Sequence, residues 1–106
     1  MAKFLGIANY TSEGVQGLLK DGGSKRRDVL AKAVEALGGT LEAYYFAFGD
    51  ADVYVTIDAP DNVTVAAVSL AVNSTGAASA KIVVLLTPEE IDAATQKVVE
   101  YTAPGQ

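Results

Sequence analysis

Three sets of side chains in this sequence could do chemistry: a run of cations, a group of phenols and three aspartates. Five of the eight basic residues fall between Lys20 and Lys32, in a chain of net charge −5. The segment reads Lys20-Asp21-Gly22-Gly23-Ser24-Lys25-Arg26-Arg27. An amphipathic run follows Ser24, which places that serine as a helix N-cap. Cations there oppose the positive end of the helix dipole, at a cost of about 0.3–1 kcal/mol per exposed charge. A local rule broken in this way points to a functional or interface site. Free N–H groups at a helix start, the Ser24 hydroxyl and the forks of Arg26 and Arg27 suit a carboxylate or phosphate. Arg26 falls on the line of Leu30, Ala33 and Leu37, the buried side, whereas Lys25 falls toward Asp28 and Lys32 on the wet side. The plainer reading is a capped helix whose cations pair with Asp21, Asp28 or the acids of a second subunit. Neither the phosphate-loop pattern nor the dinucleotide glycine pattern is present.

Tyr10 ends the first apolar run, and Tyr44, Tyr45 and Tyr54 lie in two later ones. A phenol beside a cation can donate a hydrogen bond or act as an acid. Tyrosines at strand positions also serve simply as packing. The candidate ligand-binding set is Ser24, Arg26, Arg27, Tyr10, Tyr44 and Tyr54. Asp50, Asp52 and Asp58 could hold a hard cation or act as a base, although aspartate is favoured in tight turns for its own reasons. The chain has no histidine and no cysteine. That removes the commonest neutral-pH acid/base group, thiolate chemistry and the usual zinc and haem ligands. No metal site and no cofactor are expected.

These groups need elements to position them. Phe4 to Tyr10 reads as a strand. Thr11 or Ser12 caps a short helix that Gly22-Gly23 breaks. A longer helix runs from Ser24 to Leu37, with a buried stripe of Leu30, Ala33, Val34 and Leu37 and a solvent-side pair of Asp28 and Lys32. Gly38-Gly39 supplies a left-handed C-cap. Thr40 to Phe48 alternates as a strand, Gly49-Asp50-Ala51 turns, and Asp52 to Asp58 returns. A valine- and alanine-rich helix starts at Pro60-Asp61 and closes near Gly76. Its lack of charge implies that it is mostly buried. Ala80 to Leu86 is the last strand. Thr87-Pro88-Glu89-Glu90 is a capping box opening a helix to about Glu100, followed by a frayed tail.

The order predicts one α+β domain over residues 1–106, with a ferredoxin-like split βαβ layout. The sheet should have four antiparallel strands in order 4-1-3-2, with helices on one face and a C-terminal helix besides. The other face would carry Tyr44, Phe46, Phe48, Tyr54, Thr56, Val83 and Leu85, too apolar to stay wet. A homo-oligomer, with a dimer as its smallest unit, is therefore expected.

Several blocks have a familiar look in this order: Gly17-Leu18-Leu19-Lys20-Asp21-Gly22-Gly23-Ser24-Lys25-Arg26-Arg27, Leu37-Gly38-Gly39, Tyr45-Phe46-Ala47-Phe48-Gly49, Asp58-Ala59-Pro60-Asp61-Asn62 and Leu85-Leu86-Thr87-Pro88-Glu89-Glu90. Together they resemble the GYD domain family of small bacterial and archaeal proteins. The resemblance implies a dimeric α+β-barrel type fold and brings no established reaction or catalytic residue. The chain departs from the pattern at Gly49-Asp50-Ala51-Asp52, where no tyrosine precedes Asp52.

Composition bounds the function. No apolar run approaches the length of a membrane span, and the N-terminus lacks the apolar stretch of a signal peptide, so a cytoplasmic protein without membrane contact is expected. The acidic balance argues against nucleic acid as a partner. Two classes of function fit. One is a homo-oligomeric binding or regulatory protein holding a small anion or polar organic molecule. The other is a cofactor-free enzyme of the α+β-barrel kind, using Tyr, Arg and Asp on a small organic molecule, though the missing histidine weighs against it. A purely structural assembly role is a weaker third.

Overall fold

The computed structural model describes residues 1–106. Its elements in chain order are β1 (Ala2–Tyr10), α1 (Ser12–Asp21), α2 (Gly23–Ala36), β2 (Thr40–Phe46), β3 (Val53–Ala59), α3 (Asn62–Ser74), β4 (Ala78–Leu85) and α4 (Pro88–Thr95). All strand pairs are antiparallel, in order β2-β3-β1-β4, which is the expected order read from the other edge. The fold is α+β, and its element order is consistent with the split βαβ layout.

Local signals fix most boundaries. Thr11 caps α1 by accepting from the Gly14 N–H, and Asp61 caps α3 by accepting from the Thr64 N–H. That last bond holds the Asp61 carboxyl below its usual range. Thr87 and Glu90 complete the capping box of α4. Gly38 has φ +86° in the turn after α2.

Five expectations are corrected. Ser24 is not an N-cap: α2 starts one residue earlier, at Gly23, and Gly22 caps it with no side-chain bond. Gly22 takes φ +81°, and its N–H closes α1 onto Leu18 O, so the backbone makes the junction and leaves the serine exposed in the first turn. The terminal helix stops at Thr95, not near Glu100, because none of its residues is buried and no packing extends it past its cap. Asp28 takes the Nε–H of Arg27 at 3.1 Å, not a bond from Lys32. The helix stripes are less buried than expected: only Val34 in α2 and only Val65 and Val68 in α3 are buried.

The fifth correction concerns β2. A register shift between Leu41 and Ala43 turns the following side chains over. Tyr44 pairs with Val55 and Phe46 with Val53, so both stand on the helix-covered face. Phe48 lies beyond the strand, fully exposed. The outer face instead carries Leu5, Ile7, Tyr45, Tyr54, Val83 and Leu85, with Thr56 among them. At its charged corner Lys3 Nζ reaches Glu42 at 2.7 Å and Asp58 at 3.5 Å. The bond to Glu42 holds the Lys3 ammonium above its usual pKa.

Phe4, Val53, Val55 and Ile57 of the sheet meet Val34, Val65 and Val68 of the helices in a single core. Full burial of a side chain such as Phe4 contributes about 1.5–3 kcal/mol. The α1 start is fixed to the turn before β4 as well: Thr11 N–H donates to Ala77 O at 3.0 Å and its hydroxyl to Gly76 O at 2.9 Å. A Cβ at Gly14 would lie 2.0 Å from Ala77 O, whereas one at Gly17 would meet nothing within 4 Å. Gly14→Ala should therefore destabilise the fold by more than about 1–2 kcal/mol, through backbone strain. Gly17→Ala should stabilise it by about 0.5–1 kcal/mol, the helix-propensity gain. Urea denaturation of the two variants checks both signs.

Candidate functional site

The site follows from how far apart the two main helices stand. Helix α2 packs on β2 and α3 on β4, the two edge strands. Edge strands in a four-stranded sheet are three spacings apart, about 14 Å. Helices in contact have axes about 8–10 Å apart. A gap over the middle strands follows unless large side chains fill it. Here they do not. The floor is Gly6, Ala8, Val53 and Val55, and the facing helix positions include Ala33, Ala67 and Ala71. The result is a cleft of about 570 Å³, apolar along most of its wall. Leu30 and Leu37 of the expected buried stripe line it instead of closing it.

One end of the cleft is polar, and four elements build it. Tyr10 comes from the end of β1, Tyr44 from β2, Asp21 from the last turn of α1 and Arg26 from the first turn of α2; all four line the cleft. The Tyr10 and Tyr44 hydroxyls lie 3.4 Å apart, one donating to the other. Arg26 Nη1 donates to Asp21 Oδ2 at 3.3 Å, and Lys25 Nζ stands 3.6 Å from Asp21 Oδ1. Burial pushes the Tyr44 phenol well above the ordinary tyrosine value; the hydrogen bond with Tyr10 adds to this and the Arg26 charge partly opposes it. The Tyr44 ring meets Phe46 edge-on at 5.2 Å between centroids. Phe46 in turn lies under Gly23, where a Cβ would come 2.9 Å from its ring. The glycine pair thus has two jobs: Gly22 supplies the turn and Gly23 the space.

The charges at this junction are misplaced by local rules. An acid at the C-terminus of α1 and cations at the N-terminus of α2 each oppose a helix dipole, at about 0.3–1 kcal/mol apiece. Their mutual ion pairs, partly exposed, return a similar amount. The arrangement leaves little net stability and one guanidinium with donors to spare at a cleft.

The sequence-derived candidates separate accordingly. Arg26, Tyr10 and Tyr44 converge. Lys25 stands in solvent, as its helical position anticipates. Ser24 is exposed beside the junction and does not line the cleft. Arg27 pairs with Asp28 and lines, with Glu42, a separate and mostly apolar groove along β2. Tyr54 is on the outer face, paired in register with Ile7 and Tyr45. Asp52 and Asp58 hold structural bonds, and no group of three acidic side chains converges. Asp52 Oδ2 accepts the Tyr10 N–H at 2.8 Å, which fixes the strand end from which the Tyr10 phenol reaches Tyr44. Ala51, at the position without the tyrosine, is buried. Sequence reasoning missed Asp21 as a cleft residue, and it missed the small residues of floor and wall. Their signal was the run of alanines at core-facing helix positions.

Comparison with known proteins agrees with this chain's own resemblance. The family model described as GYD domain matches residues 4–95, so the chain belongs to the GYD domain family. No curated protein and no solved structure matches it.

The raised Tyr44 phenol gives a pH signature. Below about pH 10 the phenol is protonated in both folded and unfolded chains and adds no pH dependence. Above that the unfolded chain loses the proton and the fold keeps it, so stability falls as pH rises toward the folded value. Urea midpoints measured on both sides of pH 10 should decline less steeply for Tyr44→Phe than for the wild type. Parallel declines would contradict the assignment.

Proposed function

We propose that this GYD domain protein is a homo-oligomer that binds a small polar or anionic organic molecule in the cleft between α2 and α3, as a binding or regulatory protein. The observation that carries the reading is the cleft itself: apolar walls left open by glycine and alanine positions, with hydrogen-bonding groups gathered at one end. Such a shape is the usual form of a small-molecule site. The enzyme alternative finds less support. A phenol held above its ordinary pKa stays protonated near neutrality, so Tyr44 can donate a hydrogen bond but does not serve as a base.

Oligomerisation is supported by the outer sheet face. Leu5, Ile7, Tyr45, Tyr54, Val83 and Leu85 form an apolar surface with no cover from this chain's helices α2 and α3, which pack on the other side.

Native mass spectrometry of protein purified from its own host tests the ligand. The wild type should carry a small molecule. Ala33→Leu fills the cleft from α2 with little change in helix propensity and should lose that molecule while keeping the thermal midpoint. Equal retention by both proteins would place the molecule elsewhere. Sedimentation tests the assembly: Tyr54→Asp should lower the oligomeric state by burying a charge at the interface. A wild type that sediments as a monomer at micromolar concentration would remove the argument.

A further inference from the structure

The cleft carries information about which ligand it takes. Three charged side chains line it, Glu13, Asp21 and Arg26. Asp21 is shared between Lys25, on the solvent side, and Arg26, so the Arg26 charge is not wholly taken up by it. Arg26 spends one N–H on Asp21 in a single contact at 3.3 Å and keeps the rest of its fork. Tyr44 and Tyr10 share one hydrogen bond between two hydroxyls, leaving one hydroxyl proton to offer. A planar acceptor group with two oxygens matches this set of donors. The rest of the cleft offers almost no polar partner, so the body of the ligand is apolar. Glu13 stands on α1 eight residues before Asp21, about 12 Å away along the helix. Its neighbour Gly14 stands against the Tyr10 ring, so Glu13 belongs to the polar end, and the rest of the cleft holds no charge to meet a second carboxylate.

We infer that the cleft takes a monocarboxylate with an apolar body, its carboxylate on Arg26 and on the free proton of the Tyr10–Tyr44 hydroxyl pair. This rests on the reading of the cleft as a ligand site and narrows it. The apolar part gains from leaving water along the alanine and valine walls. The guanidinium fixes direction and charge.

Calorimetric titration of the full chain tests it with three probes of similar length: octanoate, octanol and suberate. Octanoate should bind at least about tenfold more tightly than octanol, the worth of a charge-assisted hydrogen bond at a partly enclosed site. Suberate should bind more weakly than octanoate because its second carboxylate enters the apolar part of the cleft without a partner. Arg26→Gln should remove most of the preference for octanoate over octanol, and Arg26→Lys should fall between. The three-probe series uses the wild-type chain, so it decides the matter even when a variant fails to fold. Equal binding of octanoate and octanol would overturn the carboxylate and leave the cleft as a ligand site. Equal binding of suberate would overturn the single-charge assignment. Binding of none of the three, with Ala33→Leu behaving like the wild type in native mass spectrometry, would overturn both the inference and the reading beneath it.

Discussion

The distance between two edge strands governs this molecule. A four-stranded sheet with one helix on each edge strand holds those helices too far apart to touch. Most such sheets need large side chains in between. This chain places glycine and alanine there: Gly6 and Ala8 on the central strand, Ala33 on α2, Ala67 and Ala71 on α3. The core lies beside and beneath the cleft, where Val34 of α2 and Val65 and Val68 of α3 meet Phe4 and the β3 valines. Val53, Val55 and Val68 serve both, since they belong to the core and line the cleft.

The polar end depends on a second constraint, the Gly22-Gly23 junction. It brings the end of α1 against the start of α2, so that Asp21 faces Lys25 and Arg26. Neither side of that pairing is favoured by its own helix. Each compensates the other, and the guanidinium stays beside the two phenols. Asp52 completes the arrangement from a distance, by holding the Tyr10 N–H at the point where β1 ends. A turn residue, a helix junction and two strand residues therefore converge on one end of the cleft, although they are far apart in sequence.

Much of this was legible in the sequence. Alternation in β3, the capping box at Thr87 and the glycine pairs give the element order and the strand order without ambiguity. The helical position of Arg26 relative to Leu30 and Ala33 separates it from Lys25. Other features were not legible, for physical reasons. The shift after Leu41 leaves no mark in the hydrophobic pattern, because Tyr44, Tyr45 and Phe46 are all aromatic and either face can hold them. The outer face was therefore assigned the wrong tyrosine of the pair Tyr44 and Tyr45. The stripe of α2 reads the same whether it touches a sheet or faces a gap, since periodicity reports direction and not distance. Ser24 matched the residue preference of an N-cap, but the backbone of Gly22 already made that junction.

The central claim is that the space between α2 and α3 is where this protein meets its ligand. Methyl NMR on alanine-labelled protein, titrated with octanoate, tests it most directly. Ala33 and Ala71 stand on opposite walls of the cleft, Ala80 lies at its β4 side, and Ala43 is on the outer face. The account predicts that the Ala33, Ala71 and Ala80 methyls move together along one saturable curve while Ala43 stays in place. Movement of Ala43 with the three cleft methyls unmoved would contradict it.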